Sequence, residues 1–131
     1  MANRKVLVDT SIIIDFLRKK KKESSFLWKI KETNVCFMSS VTLFEILSGA
    51  KTERHFEDIK KLTRWIESIC FDDEIAKIAA SIFHVLKSKN KIIEYRDIFI
   101  AASAMSNHFC LATLNTNHFE RIEHLVLFDL H

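Results

Sequence analysis

Short apolar runs alternate along the chain with longer segments in which apolar residues recur every three or four positions. The short runs, at residues 5–8, 34–39, 110–115 and 124–129, predict four strands. The longer segments predict helices that begin near residues 11, 26, 40, 54, 73 and 97. Strands separated by helices favour a parallel sheet covered on both faces. The expected fold is therefore α/β, a three-layer α/β/α sandwich with a short, mainly parallel sheet.

The ends of these helices must be located from serine, aspartate and asparagine, because the chain has no proline and one glycine. The expected N-caps are Ser24 or Ser25, Ser39 or Ser40, and Asp72 or Asp73. Gly49 stands where a left-handed residue would end a helix. A helix is also expected over residues 54–66. No linker interrupts the pattern, so we expect a single domain over residues 1–131.

Composition restricts the class of protein. Hydrophobic residues make up 48% of the chain, which argues against disorder, and no apolar window is long enough to span a membrane. Asp9 and Asp15 interrupt the first apolar segment and argue against a signal peptide, so a cytoplasmic location is expected. The three cysteines are too widely spaced for a C-x-x-C metal pair, and we expect them to be buried free thiols.

The net charge of +3 permits an anionic partner without requiring one. The densest basic segment is the run from Arg18 to Lys22. Such a run is commonly a solvated helix end, and the alternative is a patch that contacts phosphates. The sequence leaves both interpretations open.

Polar residues follow two of the predicted strands. Asp9 follows the first, and Asn115 follows the third, which places both at the carboxyl edge of the sheet. Each has an ordinary explanation, since Asp9 could cap a helix and Asn115 could belong to a turn. Asp97 could likewise be an N-cap. Glu45 could complete a capping box, but a helix opened by Ser39 or Ser40 places it too deep, with no cation nearby in sequence.

Taken together, the three carboxylates Asp9, Glu45 and Asp97 indicate a different function. Each lies beside a strand end or near a helix start within apolar sequence, and they would repel one another if the fold brought them together. A divalent cation would relieve that repulsion, and Mg²⁺ or Mn²⁺ prefers oxygen ligands. The chemistry that such a site favours is phosphoryl transfer.

Four segments also carry a resemblance to a known family. They read VLVDTSIIIDFL, SSVTLFEILSGA, RDIFIAASA and LATLNTNHFERI, and in order and spacing they resemble the signature segments of PIN-domain ribonucleases. The short chain and the TLFEIL segment look most like the VapC-type toxins of bacterial toxin–antitoxin pairs. The resemblance covers nearly the whole chain. It implies a PIN-like α/β/α sandwich whose acidic pocket binds Mg²⁺ or Mn²⁺ and cleaves RNA.

The resemblance assigns roles by position. Asp9, Glu45 and Asp97 match the carboxylates of the metal site and are the implied catalytic residues. Asn115 falls where many relatives carry a further acid, and could contribute its carbonyl oxygen or hold a metal-bound water. This departure leaves the number of metal ions, one or two, open. The implied supporting residues are Thr10, Ser11, Thr113 and His118. His118 could contact phosphate or be a structural histidine, and Asp15 has at most a secondary role.

The implied mechanism is attack by metal-activated water on a phosphodiester. Asp9 and Asp97 would ligate the ion, while Glu45 would ligate it or act as general base. The implied substrate is tRNA or another structured RNA. The implied partners are a VapB-like antitoxin, which would insert a segment into the acidic pocket, and a second copy of the chain in a homodimer.

Three rival functions compete with this one. An aspartate-nucleophile phosphatase would need a second acid two residues after Asp9, where Ser11 stands. A receiver module would need a phosphorylatable aspartate ending a mid-chain strand, but Asp58 lies in predicted helix. A PIN fold that has lost catalysis and only binds RNA or protein remains open, because the fourth acid is absent.

Overall fold

The computed structural model describes residues 4–130, in which the chain forms four strands and seven helices. Residues 1–3 and 131 of the predicted domain lie outside this range. The strands are β1 (Arg4–Val8), β2 (Asn34–Ser39), β3 (Glu67–Ile69) and β4 (Cys110–Ala112). The helices are α1 (Thr10–Arg18), α2 (Phe26–Thr33), α3 (Ser40–Gly49), α4 (Glu53–Leu62), α5 (Asp73–Ser88), α6 (Tyr95–Ser106) and α7 (Thr116–Phe119).

The strands form one parallel sheet in the order β3-β2-β1-β4. β1 lies in the interior of the sheet, where Val6 pairs with Cys36 on one side and Cys110 on the other. Parallel strands joined by helices keep their carboxyl ends at one edge. The predicted α/β sandwich is confirmed, and in the described residues every strand pairing is parallel.

Successive residues of β1 face opposite sides of the sheet, and each side has its own core. Val6 and Val8 belong to the first core, which packs against α1, α2, α3 and α4. Leu7 belongs to the second core, which packs against α5, α6 and α7. All three side chains are fully buried. An apolar run without alternation is what a strand covered on both faces requires.

Several helix starts follow the sequence prediction. Ser25, Ser39 and Asp72 each accept a hydrogen bond from a backbone amide of the helix that follows. Gly49 is different: it is the last residue of α3, and no glycine of the described chain has positive φ. The prediction of a left-handed residue there was wrong, because α3 ends by an extended Ala50 whose amide donates to the Leu47 carbonyl.

Four further boundaries differ from the sequence pattern. β4 ends at Ala112, three residues short of the strand predicted over residues 110–115. α4 ends at Leu62, so the helix predicted over residues 54–66 was too long. β3 was missed, because three residues are too few to show alternation. The strand predicted over residues 124–129 is reduced to one isolated bridge between Leu127 and Leu111. Its backbone still bonds to β4 there, since the Phe128 amide donates to the Leu111 carbonyl at 2.7 Å.

The cysteines are free, but only Cys36 and Cys110 are buried. Cys70 is exposed, which corrects the expectation of three buried thiols, because the chain leaves the edge strand β3 at Ile69. Burial raises the pKa of the Cys36 thiol to about 12. Within residues 4–130, no helix combines the length and the apolar character that crossing a membrane would need.

Candidate active site at the carboxyl edge of the sheet

The ends of β1 and β4 bring two of the predicted site residues together. Asp9 follows the last residue of β1, and its amide donates to the Ala112 carbonyl of β4 at 3.0 Å. Thr113, the next residue after β4, donates a short hydrogen bond from its hydroxyl to Asp9 Oδ2. The structure therefore joins these residues, which are 104 positions apart in sequence.

Asp9 is buried among neutral hydrogen-bond donors. Its Oδ1 accepts from Ser11 Oγ at 2.5 Å and from the Ile12 amide at 3.3 Å, so Asp9 is also the N-cap of α1. Only 3% of the residue is exposed. Burial raises the pKa of Asp9, and this effect outweighs the hydrogen bonds from Ser11 and Thr113, which lower it. The capping role and the predicted site role coexist in one side chain.

Glu45 lies in the second turn of α3, as the cap at Ser39 predicts. Thr10 Oγ1 donates to Glu45 Oε1 at 2.6 Å and lies 3.0 Å from the Thr42 hydroxyl. The sequence shows no nearby cation, but the fold supplies one. Arg96 Nη1 lies 3.1 Å from Glu45 Oε2 and 3.3 Å from Oε1, although the two residues are 51 positions apart.

Asp97 is not the N-cap that its local sequence allows. α6 begins at Tyr95, and Asp97 lies within its first turn with 3% of its surface exposed. His118 Nδ1 lies 3.0 Å from Asp97 Oδ2, and Arg96 Nη1 lies 3.7 Å from Asp97 Oδ1. Because an ionised carboxylate only accepts hydrogen bonds, His118 donates from Nδ1 in this contact. The predicted supporting histidine thus orients one of the three acids.

Polar contacts join two of the three acids Asp9, Glu45 and Asp97, which we call the carboxylate cluster, and among residues 4–130 Asp9 is connected to them only through the chain at Thr10. Thr10, next to Asp9 in the chain, bonds to Glu45, and a single nitrogen of Arg96 contacts both Glu45 and Asp97. In the described part of the chain, no three acidic, imidazole or thiol groups stand ready to hold a metal ion. The acids are connected through Arg96 and Thr10 instead.

Asn115 lies at the rim of the site. The residue is exposed, and its backbone amide donates to Thr113 Oγ1 at 2.9 Å. It occupies the N-cap position of α7 without a capping bond from its side chain. The Leu114 amide similarly donates to Ser11 Oγ at 3.1 Å. The hydroxyls that hold Asp9 therefore also fix the loop that presents Asn115.

A cleft of about 600 Å³ opens over this edge and contains both acids and cations. Asp9, Ser11 and Asn115 line it together with Arg18, Lys19 and Arg96. Lys22, from the same basic run, lies elsewhere, and its Nζ donates to the Phe16 and Leu17 carbonyls at the end of α1. The run is therefore divided between the cleft and the end of the helix.

A parallel α/β sheet whose carboxyl edge carries the buried Asp9 and Asp97 and the partly exposed Glu45 defines a class of α/β protein with acidic side chains at this edge. Comparison with known families agrees with this description. The PIN domain family model matches residues 6–125. The chain belongs to the PIN domain family.

Individual relatives extend the comparison. The chain is 35% identical over 96 residues to a protein named Ribonuclease VapC3 from Methanocaldococcus jannaschii, covering 73% of this chain and 94% of that protein. It is 28% identical over 119 residues to Ribonuclease VapC1 from the same organism, covering 91% and 82%. Among solved structures, DNA-bound VapBC from Salmonella typhimurium has a TM-score of 0.86 at 25% identity, covering 98% of this chain and 99% of that chain.

Sequence reasoning missed one residue of the site. It did not select Arg96, which directly precedes Asp97, whereas the structure places its guanidinium in contact with two of the three acids. The only signal for Arg96 in the sequence was its position next to Asp97, a predicted site acid. Adjacent residues on a helix point in different directions, however, so the sequence alone did not indicate a shared contact.

Proposed function

We propose that this protein is a metal-dependent endoribonuclease toxin of the VapC type, which hydrolyses phosphodiesters of tRNA or another structured RNA with Mg²⁺ or Mn²⁺. The observation that carries the proposal is Asp9, a buried carboxylate held by neutral donors at the floor of a cleft that also carries cations. Such a charge is costly to bury unless a cation joins it. The names of the VapC relatives agree with the reaction.

The donor set suits a divalent cation. Carboxylate oxygens of Asp9, Glu45 and Asp97, with the amide oxygen of Asn115 at the rim, are the hard ligands that Mg²⁺ and Mn²⁺ prefer. When bound, the ion would supply an activated water and stabilise the oxygens of the displacement.

Side chains of this protein would orient the metal ligands, accept a proton and bind the RNA backbone. Ser11 and Thr113 keep both oxygens of Asp9 oriented, and His118 does so for Asp97. Glu45 is 23% exposed in its side chain and is the acid best placed to accept a proton. Arg18 and Lys19, which line the cleft, would bind the phosphates of the RNA backbone.

The experiment is to incubate the purified protein, free of any antitoxin, with total RNA and Mg²⁺ or Mn²⁺. We expect discrete cleavage products that EDTA abolishes. Asp97→Asn should lower the cleavage rate by at least about a hundredfold, because it removes a charged ligand without changing the volume of the side chain.

Asp73→Asn is the matched control, because Asp73 is an exposed residue of the first turn of α5 and should leave cleavage unchanged. Cleavage that survives Asp97→Asn would overturn the site assignment. The absence of cleavage with every RNA would favour a PIN fold that only binds RNA or protein, a function compatible with Asn115 in place of the fourth acid.

We also propose a VapB-like antitoxin as partner. An apolar groove of about 270 Å³ between α1, α3 and α4 reaches Glu45, and its lining includes Ile14, Leu17, Ile46 and Ile59. A partner segment in this groove could place a cation against the carboxylate cluster. Co-expression with the neighbouring reading frame, followed by pull-down, tests this, and Ile14→Asp, at a partly exposed lining residue, should abolish the complex.

We also propose that the protein forms a homodimer and is located in the cytoplasm. A second apolar surface, on α5 and α6, exposes Phe71, Phe83, Tyr95 and Phe99 around a shallow pocket. Aromatic surfaces of this kind are common at the centres of protein interfaces. Light scattering of the purified chain should give twice the mass of 15.3 kDa, and Tyr95→Glu should give the monomer.

A further inference from the structure

Arg96 holds a position that the proposed mechanism does not use. Its Nη1 contacts Glu45 at 3.1 Å and Asp97 at 3.7 Å, and its Nε lies 3.8 Å from the exposed Glu94 carboxylate. The guanidinium is always charged in proteins and presents donors in a rigid fork. One cationic side chain of the protein therefore already contacts two of the three acids that would hold the metal.

The charges indicate what this neutralisation does. The carboxylate cluster and Arg96 together carry a formal charge of −2, which one divalent cation balances. Without Arg96 the cluster would carry −3, and its acids would repel one another whenever no ion is bound. A guanidinium within reach of two acids lowers that repulsion in the metal-free protein.

We propose that Arg96 is an internal counter-ion that competes with the divalent cation for Glu45, and that the cation binds by displacing it. The proposal deepens the function proposed above and rests on its metal dependence. Arg96 contacts both Glu45 oxygens while Thr10 also donates to Oε1, so Thr10 can keep the glutamate in place when Arg96 leaves. Competition of this kind lowers the apparent metal affinity by the free energy of the contact that is broken.

The surroundings of Arg96 allow it to leave. Its side chain is 40% exposed and lines the cleft, whereas the Asp97 side chain is 4% exposed. The guanidinium can therefore rotate into the cleft without unpacking the core. There it would join Arg18 and Lys19, the other cations that line the same cleft.

A purely structural role for Arg96 predicts the opposite effect on metal binding. If Arg96 served to hold Glu45 and Asp97 in place for the ion, its removal would loosen the ligands and weaken binding. If it competes with the ion, its removal should strengthen binding. The sign of the change distinguishes the two roles.

The experiment is calorimetric titration of the metal-free protein with Mn²⁺ in the absence of RNA. We expect Arg96→Gln and Arg96→Met to lower the Kd for Mn²⁺ roughly five- to tenfold, the equivalent of one partly exposed ion pair. Arg96→Lys, which keeps the charge, should stay closer to the unmodified protein. Arg64→Gln is the matched control, because exposed Arg64 precedes β3 at the opposite edge of the sheet.

Thermal unfolding provides a second measurement. In EDTA both neutral variants should melt a few degrees lower, and saturating Mn²⁺ should raise their Tm by more than it raises that of the unmodified protein. An unchanged or higher Kd in folded Arg96 variants would overturn the counter-ion role alone. If the unmodified protein binds no Mn²⁺, the metal dependence itself is overturned, and this inference is overturned with it.

Discussion

Helix α1 carries two aspartates, and the two carboxylates have different partners although both line the same cleft. At the start of the helix, Asp9 is held by two hydroxyls and an amide, all of them neutral donors. In the second turn, Asp15 accepts from the Phe26 amide at 3.0 Å and lies 3.6 Å from Lys19 Nζ. The Asp9 carboxylate thus has neutral partners and its charge is available to bind a cation. The Asp15 carboxylate is paired with Lys19 and joins α1 to α2.

The difference shows how a functional charge can be recognised beside a structural one. Asp15 has a cation and the first amide of α2, which together account for its presence. Asp9 is more deeply buried, and burial raises its pKa by more than its hydrogen bonds lower it. A charge that the fold positions but does not neutralise is a candidate for binding an external cation.

The largest expected effect tests this comparison directly by RNA cleavage. Asp9→Asn should lower the cleavage rate at least about a hundredfold, because Asp9 is a proposed metal ligand. Asp15→Asn should retain the rate within about threefold, since its contacts are made to α2 and Lys19. Equal losses in the two variants, measured on the same labelled RNA, would remove the distinction between the two aspartates.

The next effect is on metal-dependent stability. Mn²⁺ at a hundred times its Kd should stabilise the protein by about 2.7 kcal/mol, because a ligand that binds only the folded state shifts the unfolding equilibrium. Asp9→Asn should abolish most of this gain, and Asp15→Asn should keep it. Differential scanning calorimetry with and without Mn²⁺ measures both, and a full gain in Asp9→Asn would argue against Asp9 as a ligand.

A smaller effect concerns the far end of α1 alone. Lys22 Nζ donates to the Phe16 and Leu17 carbonyls at 2.8 and 2.9 Å and lies 5.0 Å from the centre of the Phe16 ring. Lys22→Met should lower the free energy of unfolding by about 1–2 kcal/mol, because two carbonyls at the end of the helix lose a charged donor. Urea denaturation measures the loss. If the Lys22→Met protein also lost Mn²⁺ binding, the two ends of α1 would be coupled.

The smallest effect is a pH dependence of stability without metal. Because burial raises the folded pKa of Asp9, the folded state binds more protons than the unfolded state between the ordinary value and the raised one. The contribution of Asp9 to stability therefore falls as pH rises through that window. Asp9→Asn removes the penalty, so in EDTA its Tm relative to the unmodified protein should be more favourable at pH 7 than at pH 4.

Parallel melts of Asp15→Asn are the comparison, with the same loss of charge in the second turn of α1. A Tm difference between Asp9→Asn and the unmodified protein that does not change with pH would contradict a raised pKa at Asp9.

Much of the fold was predictable because its signals are local. The uninterrupted apolar run of β1, the serine before α3 and the aspartate before α5 each act on their own segment, and each was located correctly. β3 was not located and the strand over residues 124–129 was predicted too long, because three residues or fewer pair in each and their partners lie elsewhere in the chain. Short edge elements are specified mainly by the strand they join.

The candidate site was likewise predictable only in those features that have a local signal in the sequence. Its acids could be selected from the sequence because charges within apolar segments are costly and few. Their partners could not, since Thr113 reaches Asp9 across 104 residues, Arg96 reaches Glu45 across 51, and His118 reaches Asp97 across 21. Hydrogen bonds and ion pairs depend on distances below about 4 Å, which no spacing along the chain predicts.

The sequence by itself determined the order of most elements, the family resemblance and the three acids of interest, because periodicity and isolated charges are properties of neighbouring residues. Only the tertiary structure decided that Asp9 has neutral partners, that Asp15 belongs to the α1–α2 junction and that Arg96 lies between Glu45 and Asp97. The reason is that the parallel sheet gathers the ends of distant segments at one edge, where charges separated in sequence come within reach of one another.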